Sequence, residues 1–244
     1  MQKLEFVYEL DTVESVNVWE KLAPIIEKKE ALNFIIIDGV KVKSSNILVQ
    51  LIRLNEIGFD IETDNFNLHM GIITRYKLIF VQVEIKKTPE KKWYEEWVHE
   101  LVRLEGFVHA NLSDSAYVCW QSMHDPVFYD LKNKSYTQLP MIHNGLPDPV
   151  GRMVIDVSNN PGLRDIRKGY IEAIGARMWF SEKFLALINR TIEEIQDAYP
   201  CKIEKYNEDV YQLSASVGIF KDSSTEAEQR QLRAALYGNV RQEE

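Results

Sequence analysis

Cysteine is scarce in this chain: Cys119 and Cys201 are the only two among 244 residues. They stand far apart, no CxxC pair occurs, and two thiols build no disulfide framework, which argues against a zinc knuckle, a dithiol redox centre and a disulfide-held scaffold. Long apolar runs are missing as well. The densest, Phe34 to Ile37, is far short of the roughly 20 residues a membrane-spanning helix requires. The opening segment MQKLEFVYELDTVE alternates charged and apolar residues and lacks the apolar core of a signal peptide, so the expected location is the cytoplasm. Basic residues are in the minority, with 29 Lys and Arg against 37 Asp and Glu and a net charge of −8. That sign disfavours nonspecific attraction to nucleic acid or an anionic membrane and suits a basic protein partner.

Motifs that cradle phosphates or activate nucleophiles are also absent. The chain has no GxxxxGK[ST] loop, no glycine-rich turn after a strand, no GxSxG and no HExxH. No cofactor is expected.

What is present is ordinary material for a folded core, 45% hydrophobic and 27% charged. Lys3 to Leu10 reads as a strand. Asp11 and Glu14 mark a helix start, with Trp19, Leu22, Ile25 and Ile26 on one face and Pro24 as a kink. Phe34 to Ile37 reads as a buried strand that ends at the turn Asp38-Gly39, and Ser44 to Asn55 as a helix with Ile47, Leu48, Leu51 and Ile52 inward. Ile72 to Lys86 alternates as strands do. Thr88, Pro89 and Glu90 open a helix that Gly106 stops, and Trp93, Trp97, Leu101 and Leu104 form its stripe. Two tryptophans four apart beside leucines are core residues rather than a stacking box.

Ser115 to Gln121, Arg152 to Val157 and Gly175 to Phe180 read as strands. Ser181 begins a helix carrying Leu185, Ile188, Ile192 and Ile195, Lys202 to Ser216 a hairpin, and Thr225 to Tyr237 a last, polar helix. No repeat or linker interrupts this series, so the expectation is one α+β domain over residues 1–244, with a mostly antiparallel or mixed sheet and packed helices.

Several constellations bear on chemistry. Phe59-Asp60-Ile61-Glu62-Thr63 resembles the first motif of exonucleases that hold two metal ions with four carboxylates, and His109 five residues before Asp114 matches their third. The middle motif needs another aspartate, and residues 65–108 contain none. Ile35-Ile36-Ile37-Asp38 resembles a nucleotidase strand but lacks its phosphate loop. His124, Asp125, His143, Asp148 and Asp156 offer metal donors without a fixed spacing. Cys119 with His109, His124 or His143 could form a thiol pair, although no signature surrounds the cysteine. Each has a plainer reading as a turn, a solvated carboxylate or a core residue, and the expectation is a protein without catalysis.

The segment from Leu139 to Phe180 holds Pro140, Pro147, Pro149 and Pro161, half of all the prolines, and so reads as an ordered but irregular surface. Its LPMIHNGLPDPVGRMVIDVSNNPG stretch, with the Gly175-Ala-Arg-Met-Trp-Phe180 run and the helix behind it, resembles the immunity proteins of bacterial polymorphic toxin systems. The likeness is to the family paired with restriction-endonuclease-fold toxins (immunity protein 52). It covers the C-terminal half. It implies a protein that binds one cognate toxin, a nuclease effector, and blocks it stoichiometrically, with no nucleic-acid or membrane partner. The candidate contact residues are the acidic Asp60, Glu62, Asp64, Glu204, Glu208 and Asp209, which would face a nuclease's basic cleft, with Trp120, Tyr129 and Tyr136 as aromatic anchors.

Overall fold

The computed structural model describes residues 1–54, 58–87 and 92–238. Its frame is a ten-stranded sheet in which every neighbouring pair is antiparallel. β1 (Gln2–Glu9) lies near the middle, between β6 (Leu78–Ile85) and β7 (Phe107–Asp114). Outward from β6 come β5 (Phe66–Ile73), β4 (Phe59–Glu62), β2 (Phe34–Ile37) and the edge strand β3 (Val40–Lys43). Outward from β7 come β12 (Arg177–Ser181), β14 (Val210–Ser214) and the opposite edge β13 (Lys202–Lys205). The expected α+β class with an antiparallel sheet is what the chain adopts.

Side chains alternate across this sheet and feed two cores. Leu4, Phe6 and Tyr8 of β1 point to one face, where they meet α1 (Ser15–Glu27), α2 (Ile47–Leu54) and α3 (Glu95–Leu101) through Leu22, Ile26, Leu51, Trp97 and Leu101. Val7 points to the other face. There Met178 and Phe180 of β12 pack with α6 (Glu182–Ile188), α7 (Ile192–Ala198) and α8 (Glu226–Tyr237). A bulge in β7 skips Val108, since Val7 pairs with His109 and Tyr8 with Phe107; Val108 and His109 both turn to this second face.

The second layer of helices covers only the half of the sheet around β7, β12 and β14. The second face of β2 and β4, and of β5 and β6 away from the Ile73–Leu78 pair, is left open, as a one-sided antiparallel sheet can be, whereas Leu78 is buried in the second core. This explains why β2 is not the buried strand expected: Ile35 and Ile37 are buried, but Phe34 and Ile36 are exposed. The Asp38-Gly39 turn behaves as expected. Both residues have positive φ, the geometry that joins two strands by a tight hairpin.

Other expectations need correction. Ser115 to Gln121 is not a strand but most of α4 (Ser115–Ser122), because the Asp114 carboxylate accepts a hydrogen bond from the Tyr117 amide and starts a helix there. The strand is the preceding run, β7. The single helix expected from Leu185 to Ile195 is two: Asn189 takes a left-handed conformation, and Thr191 opens α7 with a reciprocal capping box to Glu194. On α2, Ile47 and Leu51 are buried while Leu48 and Ile52 face outward. Thr88, Pro89, Glu90 and Asn55 lie outside the described residues; α3 begins at Glu95, with Trp93 in the turn before it and Gly106 at positive φ beyond its end.

Between β7 and β12 the chain makes a long excursion. It contains α4, α5 (Pro126–Leu131), the small hairpin β8 (Met141–His143) with β9 (Met153–Ile155), and a second hairpin β10 (Asp165–Arg167) with β11 (Tyr170–Glu172). No helix forms between residues 139 and 180, as the prolines dictate. The Asp148-Pro149 bond is cis.

Candidate functional site

The first part of the excursion forms an arm with its own small interior. The aromatic rings of Trp120, Tyr129 and Tyr136 meet edge to face, Trp120 to Tyr129 at 5.0 Å and Tyr129 to Tyr136 at 5.9 Å between centroids. The Lys134 ammonium sits 3.8 Å above the Trp120 ring. Asp125 caps α5 at the Val127 amide and pairs with Arg152 at 2.7 Å, and the Ile155 amide donates to the His124 carbonyl. The three aromatics singled out in the sequence are thus brought together, but they work as the inner support of the arm. Tyr129 is buried, and Trp120 and Tyr136 are half-buried. Tyr129, Val154 and Ile155, its most buried side chains, belong to neither of the two main cores.

The arm's outside is apolar. Val127, Phe128 and Leu131 on α5, with Leu139, Met141, Ile142, Leu146, Val150 and Met153 around the hairpin, are all exposed. They make up more than half of the exposed large apolar side chains among the described residues. Scattered apolar residues on a surface call for no explanation; this many on one excursion is the kind of surface that marks a protein–protein contact. Composition hid it, because the same residues would read equally well as core.

The open sheet face beside α4 is the second feature. Asp60 and Glu62 of β4, Asn67 and His69 of β5, Gln82 and Glu84 of β6, and Lys3 of β1 line a trough there, closed on one side by Ser115 of α4 and on the other by Ile36 and Gly39 of the hairpin. The acids are not bare. Asp60 lies 2.6 Å from Nδ1 of His69, and the Lys86 ammonium lies 2.7 Å from Glu62 and 2.7 Å from the Thr63 carbonyl. His69 also packs its ring on Phe80, 5.1 Å away.

Toward the covered half, the trough floor ends in a buried charge. Glu5 is 1% exposed and is held by Arg164, whose guanidinium reaches its two oxygens at 2.9 to 3.1 Å, and by the Gln82 amide. Burial pushes this carboxyl up, but the charges of Arg164 and Lys3 and the hydrogen bonds of Arg164 and Gln82 prevail and lower it to about 2. His109, fully buried nearby, accepts from the Ile171 amide at Nε2, which places its proton on Nδ1, where no partner is present among the described residues. Burial lowers its pKa to about 4, so the ring is neutral.

The proposed acidic face does not assemble. Asp60 and Glu62 stand on β4, on the open face, and Asp64 in the turn after it, whereas Glu204 is on β13 and Glu208 and Asp209 in the turn before β14. β4 and β13 are seven strand positions apart, about 33 Å at ordinary strand spacing. Glu204 also faces the first side of the sheet, with Trp179 and Gln212, and pairs with Lys202 at 2.7 Å.

The exonuclease constellation does not assemble either. Asp60 and Glu62 are four strand positions from His109, about 19 Å. His109 is sealed in the core, and Asp114 is occupied in capping α4 and pairing with the N-terminal amine. Among the described residues no group of three His, Cys, Asp or Glu side chains is arranged to hold a metal ion. The loop donors are spent locally: His143 accepts from the Gly145 amide and Asp156 from the Ser158 amide. Cys119 is exposed rather than a core residue, whereas the His109 ring is buried.

Among the described residues no helix is long and apolar enough to cross a membrane. Fold and surface together define an α+β protein on one antiparallel sheet, half covered on its second face and carrying an apolar arm. No family model matches the chain, and no curated protein is similar enough in sequence to count as a relative. Its fold is similar to that of a solved Pseudomonas aeruginosa T6SS protein, PA0821, with a TM-score of 0.53 and 9% identity over 97% of this chain and 72% of that one. The likeness is one of fold.

Proposed function

We propose that this is an immunity protein: a noncatalytic binder that neutralises one cognate bacterial toxin, of nuclease type, by forming a stoichiometric complex in the cytoplasm. The observation that carries the reading is the arm between residues 123 and 156, whose exposed apolar side chains are displayed on a rigid aromatic support. Such a surface is costly to leave in water, and covering it with a partner recovers about 25 cal/mol for each Å² of apolar area. The fold likeness to a T6SS protein is in keeping with a secretion-system-related role. So is the resemblance of the C-terminal half to toxin immunity families.

In this reading the contact lies on the arm. Because Asp60, Glu62 and Asp64 lie at one end of the sheet and Glu204, Glu208 and Asp209 at the other, the energy of binding is assigned to the arm, with the net charge of −8 aiding encounter. Nucleic acid and membrane are not partners in this reading.

The test is bacterial survival, with each neighbouring open reading frame expressed alone, with the wild-type protein, and with a Phe128→Asp, Ile142→Asp double variant. Rescue from one specific neighbour that the double variant fails to give supports the proposal. If no neighbour is toxic, or toxicity is unaffected, the immunity reading is lost; a neighbour that forms a stable complex without toxicity makes the protein a scaffold instead.

A further inference from the structure

A different cleft lies on the first face of the sheet, between α3 and the outer strands β12, β14 and β13, with a volume of about 850 Å³. That size falls within the usual range for ligand pockets. Its floor is aromatic. Tyr94 and Trp179 lie with ring centroids 5.7 Å apart, and Tyr206 lines the same space. Over Tyr94, 5.8 Å from its centroid, sits the guanidinium of Arg177, which donates to the Ser214 hydroxyl at 3.2 Å.

Arg177 is the unusual member. The lysines at this cleft each have a carboxylate: Lys92 pairs with Glu95, Lys28 with Glu96 and Lys202 with Glu204. None of the ion pairs among the described residues includes Arg177. A guanidinium carries five N–H donors, and the hydrogen bond to Ser214 uses one. The Trp179 indole N–H, in a residue 1% exposed, also has no acceptor among the described residues. Burial raises the pKa of both Tyr94 and Tyr206, which keeps their hydroxyls protonated. The cleft is therefore rich in donors and poor in free acceptors. Its acids are already engaged by lysines.

We propose that this cleft is a second binding site, which takes a carboxylate seated on Arg177 with an apolar portion laid over Tyr94 and Tyr206. The guanidinium offers a fork that matches a carboxylate, and the rings flank it with apolar surface. The carboxylate can come from a free small molecule or from the acidic side chain of a bound polypeptide. The site lies across the sheet from the open trough and is independent of the toxin reading, so either can fail alone.

The experiment is a titration of the full-length, ¹⁵N-labelled protein, following the indole N–H resonances, with benzoate and separately with acetyl-Gly-Glu-Gly-amide. The Gln version of the peptide serves as control. A saturable shift with benzoate assigns the site to small carboxylates; a shift with the Glu peptide only assigns it to a partner's acidic side chain. In both cases Arg177→Gln should weaken binding by roughly tenfold or more, and Arg177→Lys less, since the charge remains without the fork. Ser214→Ala, which leaves the strand pairing intact, should weaken it mildly and keeps the test open if Arg177→Gln melts early. No saturable shift with either probe, or equal shifts in wild type and both Arg177 variants, overturns the proposal.

Discussion

Arg164, far along the chain from Glu5, closes on its buried carboxylate with three contacts of 2.9 to 3.1 Å and ties the loop before β10 to the centre of the sheet. The same loop is held by Ser122, whose hydroxyl accepts from the Arg164 amide, and its end is reached by Arg233 of α8, which donates to the carbonyls of Pro161 and Leu163. One ion pair thus joins the first strand to the excursion and, through it, to the last helix. Removing only the cation strands a charge that water cannot reach. Arg164→Met is expected to cost about 3–5 kcal/mol in chemical denaturation, while the double variant Glu5→Leu, Arg164→Met recovers much of that loss. A double variant no more stable than the single would show that the pair is not the source of the cost.

Acid should unfold the protein in two stages. Burial lowers the pKa of His109 from the ordinary 6.5 to about 4. Its native form therefore resists protonation, and the stability present above pH 6.5 falls as pH drops from 6.5 toward 4. This difference between folded and unfolded chain corresponds to roughly 3 kcal/mol. Glu5, lowered from 4.5 to about 2, adds a further loss as pH falls from 4.5 toward 2. Urea midpoints measured across this range should decline in both windows, and His109→Phe should flatten the first. An unchanged slope between pH 6.5 and 4.5 in that variant would remove His109 from the account.

The helix break after β12 gives a smaller, local prediction. Thr191 accepts from the Glu194 amide at 3.2 Å, and the Glu194 carboxylate accepts from the Thr191 amide at 2.8 Å. Thr191→Ala should cost about 1 kcal/mol of global stability. Glu194→Gln, which can keep the reciprocal bond, should cost less. Thermal melts of the two variants beside wild type decide it, and a Thr191→Ala melt equal to wild type would mean that the box adds nothing beyond the packing of Ile195.

Period and turn chemistry made much of this fold legible in the sequence. The alternation of β1, the positive-φ pair Asp38-Gly39 and the stripe of Trp97 and Leu101 each carried their own local signal. What stayed hidden was set by where the sheet ends and which layers cover it. Ser115 to Gln121 holds Tyr117, Val118, Cys119 and Trp120, good strand formers, and becomes helix because Asp114 caps it after β7 has taken its place in the sheet. Phe34, Ile36, Leu48 and Ile52 are apolar and by pattern alone belong inward, yet all four are exposed. The candidate site was illegible for the same reason. Trp120, Tyr129 and Tyr136 read as anchors in the sequence, and the fold brings their rings together as a support, but whether an aromatic supports a surface or forms it depends on what the fold packs against it.

The arm offers the sharpest separation of folding from binding. Phe128 and Ile142 are each about half exposed, at 47% and 50%, and lie outside both main cores, so Phe128→Asp and Ile142→Asp should each change stability by no more than about 0.5 kcal/mol. Trp120→Ala acts from beneath. It removes the ring that Tyr129 and Lys134 pack against, and should leave the main unfolding transition nearly intact while limited proteolysis cuts faster between residues 123 and 156. If the arm is the contact surface, the two aspartate variants lose complex formation with unaltered proteolysis, and Trp120→Ala loses it together with the arm's protection. If the aspartate variants unfold the protein as a whole, their side chains belong to the core, and the arm is not a separate binding element.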